Sequence, residues 1–302
     1  MEKTFYSNGK LLITGEYLVL DGAKAFALPT KFGQDLIVDS GTGKQIKWTS
    51  YDKDGSVWFD DLITFSSIIS GETLTDSIKS TLIDILHQAY RLNPEFIDNS
   101  DGYIINTRLT FPKMWGLGTS STLINNLAQW LGIDAFELLQ NSYGGSGYDI
   151  ACAQNDSAIL YRLENDKPTV QSIGFKPSFT SQLYFVYLNK KQSSKAAIAT
   201  YYSKQHNIHK TIPYVDGITT QIVDAKEVGA FCHALETHES LISEILEMRT
   251  AKEEFFPDFN GTIKSLGAWG GDFVLAVSDE DPTPYFEKRG FGTVLSYSEM
   301  IL

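Results

Sequence analysis

Pro112-Lys113-Met114-Trp115-Gly116-Leu117-Gly118-Thr119-Ser120-Ser121 lies between an alternating apolar-polar run, Gly102 to Phe111, and a run of helical spacing, Thr119 to Leu131. Alternation predicts a strand, and the recurrence of Leu123, Leu127, Trp130 and Leu131 predicts a helix, so the order is strand, glycine loop, helix. Glycines let a backbone approach a ligand closely, and unpaired N–H groups at a helix start, with the helix dipole behind them, favour a polyphosphate. The hydroxyls of Thr119, Ser120 and Ser121 suit helix capping, phosphate or Mg²⁺ contacts. No Gly-Lys-Ser/Thr follows, so this is not a Walker A loop, and the spacing is not Gly-x-Gly-x-x-Gly. By local spacing alone, an ordinary capped turn before a core helix fits equally well.

On the amino-terminal side, short alternating runs at Lys10 to Leu20, Asp35 to Asp39, Gln45 to Ser50 and Val57 to Phe59 predict strands, with a hairpin turn at Asp54-Gly55. The period changes between 76 and 92, where Ile78, Leu82, Ile85, Leu86 and Ala89 share one helical face before Asn93-Pro94 stops it. On the carboxy-terminal side, a helix from Asp134 to Asn141 leads into Tyr143-Gly-Gly-Ser-Gly-Tyr-Asp149, and a hairpin turns near Asn165-Asp166. From about 176 the pattern restarts. A strand at Gln182 to Leu188 precedes helices near 193–204, 211–223 and 225–248, then a glycine cluster and an apolar strand fall within Lys264 to Val277. A short helix near Tyr285 and a strand from Thr293 close the chain.

At 302 residues and roughly 150 residues per domain, two domains are expected, divided at 175/176. A hydrophobic content of 42% with 13% aromatic residues supports folded cores and excludes a disordered chain. The net charge of −12 opposes sequence-independent binding to nucleic acid or to an anionic membrane. Cys152 and Cys232 have neither disulfide-framework nor zinc spacing and are expected to be buried thiols. The five histidines, at 87, 206, 209, 233 and 238, show no metal-site spacing, which leaves them surface or polar-network roles. With no signal-peptide stretch and no run of eighteen apolar residues, the expected location is cytoplasmic.

Three further clusters accompany the glycine loop. Ser7-Asn8-Gly9-Lys10 and Gly15-Glu16-Tyr17 surround a short strand; Ser146-Gly147-Tyr148-Asp149 sets a carboxylate after a glycine-rich turn; Lys264-Ser-Leu-Gly-Ala-Trp-Gly-Gly-Asp272 offers another close-approach loop. In order and spacing these resemble the GHMP kinase superfamily over nearly the whole chain. Its motifs read Pro-Gly-Lys with Gly-Glu-His/Tyr, Pro-x-x-x-Gly-Leu-Gly-Ser-Ser-Ala, and Gly-Ala-Gly-x-Gly-Gly. This sequence departs at Asn8, Thr119, Ser121 and Trp269.

The resemblance implies an α+β, two-domain architecture: an amino-terminal domain like ribosomal protein S5 domain 2 and a ferredoxin-like carboxy-terminal domain, with the active site in the cleft between them. It implies ATP and Mg²⁺ as cofactors, a small-molecule substrate, no nucleic-acid or membrane partner, and it allows a homodimer. Asp149 matches the catalytic aspartate and Lys10 the lysine that stabilises the transferring phosphoryl group. Pro112, Trp115, Gly116, Leu117, Gly118, Thr119, Ser120 and Ser121, with Gly267, Ala268, Gly270 and Gly271, match the nucleotide-binding segments. Glu16, Tyr17, Ser146 and Gly147 match substrate-side positions. Ser120 matches a Mg²⁺ ligand, and Glu137 stands one position off the register of a second, where Leu138 falls; a solvated helix face fits Glu137 as well. The run Lys190, Lys191 and Lys195 fits a solvated basic turn or an anion contact.

Gly-Glu-Tyr at 15–17 and Gly-Gly-Asp at 270–272 lean toward mevalonate or phosphomevalonate as acceptor, in the mevalonate pathway of isoprenoid biosynthesis. A sugar or homoserine acceptor, a diphosphomevalonate decarboxylase-like reaction, a non-catalytic nucleotide-binding regulator and a plain interaction protein are the competing readings.

Overall fold

In the computed structural model, residues 2–71, 77–191, 194–203 and 208–302 are described, without the side chains of 194–197, 200 and 209. The chain opens with β1 (Lys3–Thr14), β2 (Ala25–Ser40), β3 (Gln45–Tyr51) and β4 (Val57–Thr64), then α1 (Phe65–Ser70), α2 (Ile78–Leu92), α3 (Glu95–Asp98) and β5 (Tyr103–Leu109). Helices α4 (Thr119–Leu131), α5 (Ala135–Ser142) and α6 (Tyr148–Ala153) lead to the hairpin β6 (Ile159–Glu164) and β7 (Lys167–Ser172). Next come β8 (Leu183–Tyr187), α7 (Ser194–Ser203), α8 (Ile212–Asp224), α9 (Val228–Leu246) and α10 (Ala251–Phe255). The remainder is β9 (Thr262–Ser265), β10 (Phe273–Val277), α11 (Thr283–Glu287), β11 (Val294–Ser296) and α12 (Tyr297–Met300).

Two compact units share these elements. The first comprises Met1–Gly9, Phe32–Lys113 and Leu117–Gln154; the second comprises Lys10–Lys31, Met114–Gly116 and Asn155–Leu302. The units interleave along the chain, whereas the sequence reading cut it once, at 175/176.

In the first unit the strand order is β4-β3-β5-β2, with β3 and β5 parallel and the other neighbours antiparallel. A parallel pair needs a crossover, and β4, α1, α2 and α3 supply it. Ser77 caps α2 by accepting the Ser80 N–H, and Asn93-Pro94 ends it as the sequence predicts. The core joins Trp48, Ile63 and Ile105 of the sheet to Leu86 of α2, Leu127 of α4 and Leu138 of α5.

In the second unit the first residues of β2 pair with β6, and the β6–β7 turn places Asn165 and Asp166 at positive φ, as a two-residue hairpin turn requires. A separate sheet runs β11-β8-β10-β9 with every neighbouring pair antiparallel. Helices α7 to α10 link β8 to β9 and α11 links β10 to β11, a split βαβ arrangement of the ferredoxin-like kind. Its core joins Val186, Val274 and Ala276 to Phe256, Phe259 and Phe286.

Two expectations of secondary structure fail. The first strand ends at Thr14 instead of running to Leu20, because Gly15 and Tyr17 both take positive φ and a 3₁₀ turn, Leu18–Asp21, follows. The segment after Gly147, read only as a turn, forms the short helix α6. Cys152 is buried as expected, but Cys232 is only half-buried. Among the described residues no helix is long and apolar enough to cross a membrane.

Candidate functional site

The glycine-loop helix begins differently from the expected cap. Gly118, at φ 96°, is the N-cap of α4 and no side chain caps it, so Thr119, Ser120 and Ser121 are the first three helical residues. A Cβ at positive φ is strained, which accounts for glycine there. The first helical hydrogen bond runs from the Thr122 N–H to the Gly118 carbonyl at 2.9 Å, so the amides ahead of it have no helical acceptor. The Thr119 hydroxyl is buried and has no partner among the described residues, while Leu117 is fully buried and anchors the loop.

A neutral polar network holds α4 in place. Ser7 Oγ donates to Asn126 Oδ1 at 2.7 Å and accepts from Asn125 Nδ2 at 2.8 Å. Asn126 Nδ2 donates to the Gln34 carbonyl at 2.8 Å, and Thr122 Oγ1 donates to Gln34 Oε1 at 2.7 Å. Gln154 Nε2 reaches Asn125 Oδ1 at 3.0 Å. Upstream, half-buried Pro112 precedes Lys113, whose N–H donates to Asp52 Oδ1 at 2.9 Å and whose ammonium lies 4.2 Å from the Trp58 ring centre.

Asp149 is the second residue of α6, half-buried, behind buried Ser146 and an N-cap Gly147 at φ 90°. Ile150, packed in the core, fixes the orientation of that helix. Glu137 is exposed in the first turn of α5, where the Asp134 carboxylate accepts its N–H at 3.1 Å, and Leu138 beside it is buried. Among the described residues no three His, Cys, Asp or Glu side chains cluster as a metal site. A Mg²⁺ carried by phosphates needs only one or two protein ligands, a demand that half-buried Ser120 at the α4 start can meet in part.

In the second unit, Lys10, Trp115, Gly116, Gly267, Asp272 and Phe273 surround a cavity of about 10 Å³, room for roughly one water. Lys10 Nζ lies 3.4 Å from the Gly116 carbonyl. Gly116 has φ 69°, and any Cβ there would run into the Asp272 carboxylate. Trp115 is buried with its ring at 86° to that of Phe273, centroids 5.4 Å apart. Asp272, also at positive φ, donates its N–H to the Lys190 carbonyl at 2.7 Å and accepts from Leu188 N–H at 2.8 Å, closing the β9–β10 loop onto the end of β8. Within that loop Gly267 and Gly270 are at positive φ, Gly271 is not, and Ala268 and Trp269 are buried. The tryptophan that stands where a glycine was expected thus fills a core, with Tyr17, Leu18, Tyr201, Val215 and Ile242.

A charged cluster lies behind the first motif. Lys264 Nζ is ion-paired with Glu16 Oε1, lies 3.2 Å from Glu239 Oε2 and donates to the Ser265 carbonyl at 2.6 Å. Glu239 in turn accepts from the Ser265 N–H at 3.1 Å and its hydroxyl at 2.7 Å. His238 Nε2 accepts the Gly15 N–H at 3.1 Å and faces Glu16 Oε2 at 3.5 Å, beyond hydrogen-bond range for good geometry. Burial pushes the Glu16 carboxyl up to about 7 against the pull of Lys264, and it holds His238 neutral, well below its ordinary range. Burial opposes the Lys264 charge too, but Glu16 and Glu239 outweigh it and raise its pKa.

Sequence reasoning gave His238 a surface or polar-network role without its partners, and it missed Glu239. The signal was available: Phe231, Leu235, His238 and Ile242 fall on one helical stripe, and a polar residue inside an apolar stripe is a buried polar group in need of a partner. Of the other histidines, His87 Nδ1 lies 2.8 Å from the Ile68 carbonyl. His206 and the side chains of His209 and Lys195 lie outside the described residues. Lys190 and Lys191 are exposed.

No family model matches the sequence, and no curated protein matches it. Solved structures do match. Mevalonate kinase of Methanococcus jannaschii superposes with a TM-score of 0.70 at 15% identity, covering 97% of this chain and 96% of that one. Phosphomevalonate kinase of Streptococcus pneumoniae, in complex with phosphomevalonate and AMPPNP, gives 0.67 at 16% identity, with 95% of each chain covered. Galactokinase of Lactococcus lactis, complexed with galactose, gives 0.69 at 13% identity, covering 95% of this chain and 88% of that one. Matched over nearly its whole length in both directions, the chain has the two-domain α+β fold of the GHMP kinases.

Proposed function

We propose that the chain is an ATP-dependent small-molecule kinase that transfers the γ-phosphoryl group to mevalonate or phosphomevalonate. The observation that carries the reading is the start of α4: a helix with no side-chain cap, a positive-φ glycine in the cap position and a buried Thr119 hydroxyl that has no partner among the described residues. Such a terminus has amide donors and a dipole arranged for phosphate oxygens. That it occurs on the fold of phosphotransferases supports reading it as a phosphate cradle.

When bound, the nucleotide supplies the phosphoryl group and Mg²⁺ offsets its charge. The chain's own residues do the rest. Amides at 119–121 hold phosphate oxygens, and the Ser120 hydroxyl, with Glu137 as the weaker candidate, holds the metal. Gly267, Ala268, Gly270 and Gly271 provide the second close backbone approach. Asp149 takes or orients the proton of the acceptor hydroxyl, and Lys10 stabilises negative charge on the group in flight. Ser146 and Gly147, beside Asp149, set its approach to the acceptor. A cytoplasmic location and a homodimer remain part of the proposal.

Support for the acceptor comes from Gly15-Glu16-Tyr17 and Gly270-Gly271-Asp272, and from mevalonate and phosphomevalonate kinases among the structural matches. A galactokinase among the same matches keeps a sugar acceptor as the second reading. Binding of a Mg·ATP analogue followed by ADP release over a panel of mevalonate, phosphomevalonate, homoserine and hexoses tests both. ADP release with a hexose alone would overturn the acceptor, and failure to bind the analogue would overturn the kinase. In Asp149→Asn, turnover should fall by orders of magnitude with analogue affinity retained; binding without turnover in the parent chain would favour a regulator.

A further inference from the structure

The turn that follows β1 is strained. Gly15 has φ 85°, and a Cβ there would lie 2.8 Å from Ala25 Cα and the Lys24 carbonyl. Two residues on, Tyr17 has φ 61° and ψ −48°, and the Leu18 N–H bonds the Glu16 carbonyl at 2.6 Å. That is a γ-turn of the rarer, positive-φ kind, which a tyrosine adopts only where its surroundings over-determine it.

The surroundings are specific. Glu16 is 1% exposed and its carboxylate is engaged by Lys264, the residue that opens the third glycine-rich segment. The Tyr17 hydroxyl accepts the backbone N–H of Trp269, within that same segment, at 3.1 Å. The Tyr17 ring stacks on Tyr201 at 5.6 Å and 25°, and Tyr201 in turn donates to Asp21 at 2.5 Å. Two adjacent side chains therefore grip Lys264 and Trp269, on either side of Leu266, Gly267 and Ala268. A residue that meets a soluble substrate needs an accessible polar tip; the Glu16 carboxylate is sealed from solvent, and the phenol oxygen is occupied by a backbone donor.

We infer that Glu16 and Tyr17 are positioning residues, which fix the segment Lys264–Gly271 through its side-chain ammonium and its backbone, and that Glu16 does not contact the acceptor. The segment's glycines give it little stiffness of its own, so its middle depends on these two anchors in addition to Glu239 at Ser265 and the backbone bonds of Asp272 at its ends. That this fixes nucleotide affinity rests on the kinase reading above. The coupling of the two segments does not.

Hydrogen exchange of the 266–272 amides, measured in the parent chain, Tyr17→Phe and Glu16→Gln, separates the two. Tyr17→Phe keeps the ring stack and removes one acceptor, so the Trp269 amide should exchange about tenfold faster, the equivalent of one hydrogen bond of about 1.4 kcal/mol. Glu16→Gln should accelerate the same amides; should it fail to fold, Tyr17→Phe alone decides. In the same proteins the dissociation constant of a Mg·ATP analogue should rise about tenfold while the acceptor KM stays put. Unchanged exchange in Tyr17→Phe, or a raised acceptor KM with unchanged exchange, overturns the inference. Faster exchange in a chain that binds no nucleotide upholds the coupling and sinks only the kinase reading.

Discussion

Each unit buries a polar cluster beside the first strand, and the two are built on opposite principles. In the first unit Ser7, Gln34, Thr122, Asn125 and Asn126 are neutral, and none of their side-chain polar atoms lacks a partner among the described residues. In the second, Glu16, Lys264, Glu239 and His238 set two carboxylates against one ammonium, and Glu16 Oε2 and His238 Nδ1 are left without hydrogen bonds among the described residues. A satisfied neutral network rigidifies at every pH, whereas a charged one is strong only while each charge keeps its partner. The helix behind the proposed phosphate cradle thus rests on the indifferent network, and the strained turn at Tyr17 on the sensitive one.

Removing the only ammonium should break the charged cluster most severely. Lys264→Met leaves Glu16 and Glu239 buried without a counter-charge, and losing one partner of a buried pair costs about 3–5 kcal/mol. Urea unfolding should show that loss, and Glu16→Gln added to Lys264→Met should restore a large part of it. If the double variant is no more stable than the single, the pair is not coupled as the geometry implies. The neutral cluster should respond less. Asn126→Leu removes the acceptor of Ser7 and the donor to the Gln34 carbonyl, a loss of about 2–3 kcal/mol, and it should be equal at pH 5 and pH 8 because no member titrates.

A smaller effect separates the clusters by pH alone. Between the ordinary carboxyl value of 4.5 and about 7, the folded chain holds a proton on Glu16 that the unfolded chain has released, so stability falls as pH rises through that window. Below 6.5 the unfolded chain binds a proton on His238 that the folded chain refuses, so stability falls as pH drops. The two slopes oppose each other between 4.5 and 6.5, a window in which Lys264, its pKa raised, keeps its charge. His238→Gln removes one of them and keeps an acceptor for the Gly15 N–H. The difference in stability between parent and variant should then tilt by up to about 1.4 kcal/mol per pH unit. Parallel curves would show that the histidine is not the opposing group.

How much of this was legible follows from what periodicity can see. Apolar spacing, read from Leu123, Leu127, Trp130 and Leu131, placed α4 from Thr119 to Leu131 to the residue; Leu127 and Leu131 are buried in the core, and Leu123 and Trp130 pack against it half-buried. It could not show that Asn125 and Asn126 face inward, since an amide is written like a surface residue until its partners, Ser7 and Gln34, come from strands more than ninety positions away in sequence. Glycine spacing found the loops of the proposed site but not their anchors. The Lys264–Glu16 pair spans 248 positions, and nothing local to either residue announces it. Capping went wrong for a local reason: threonine and glycine cap about equally well by propensity, so the positive φ at 118 decides for glycine and moves the hydroxyls into the helix.

The gentlest test sets two threonines of α4 against each other. Thr122 Oγ1 donates to Gln34 Oε1 at 2.7 Å and belongs to the satisfied network; Thr119 Oγ1, one turn earlier, is as hidden from solvent and bonds nothing described. Valine is isosteric with threonine and differs by the hydroxyl, so each substitution removes one polar group and leaves the shape. Thr122→Val should cost about 1 kcal/mol, the net worth of a typical hydrogen bond. Thr119→Val should leave stability within about 0.5 kcal/mol, because a buried hydroxyl with no partner gives up nothing when it is replaced. If that hydroxyl serves a phosphate instead, its loss appears only with ligand present: thermal stabilisation by a Mg·ATP analogue should shrink in Thr119→Val and persist in Thr122→Val. Equal stabilisation of both variants would return Thr119 to the ordinary business of a helix start.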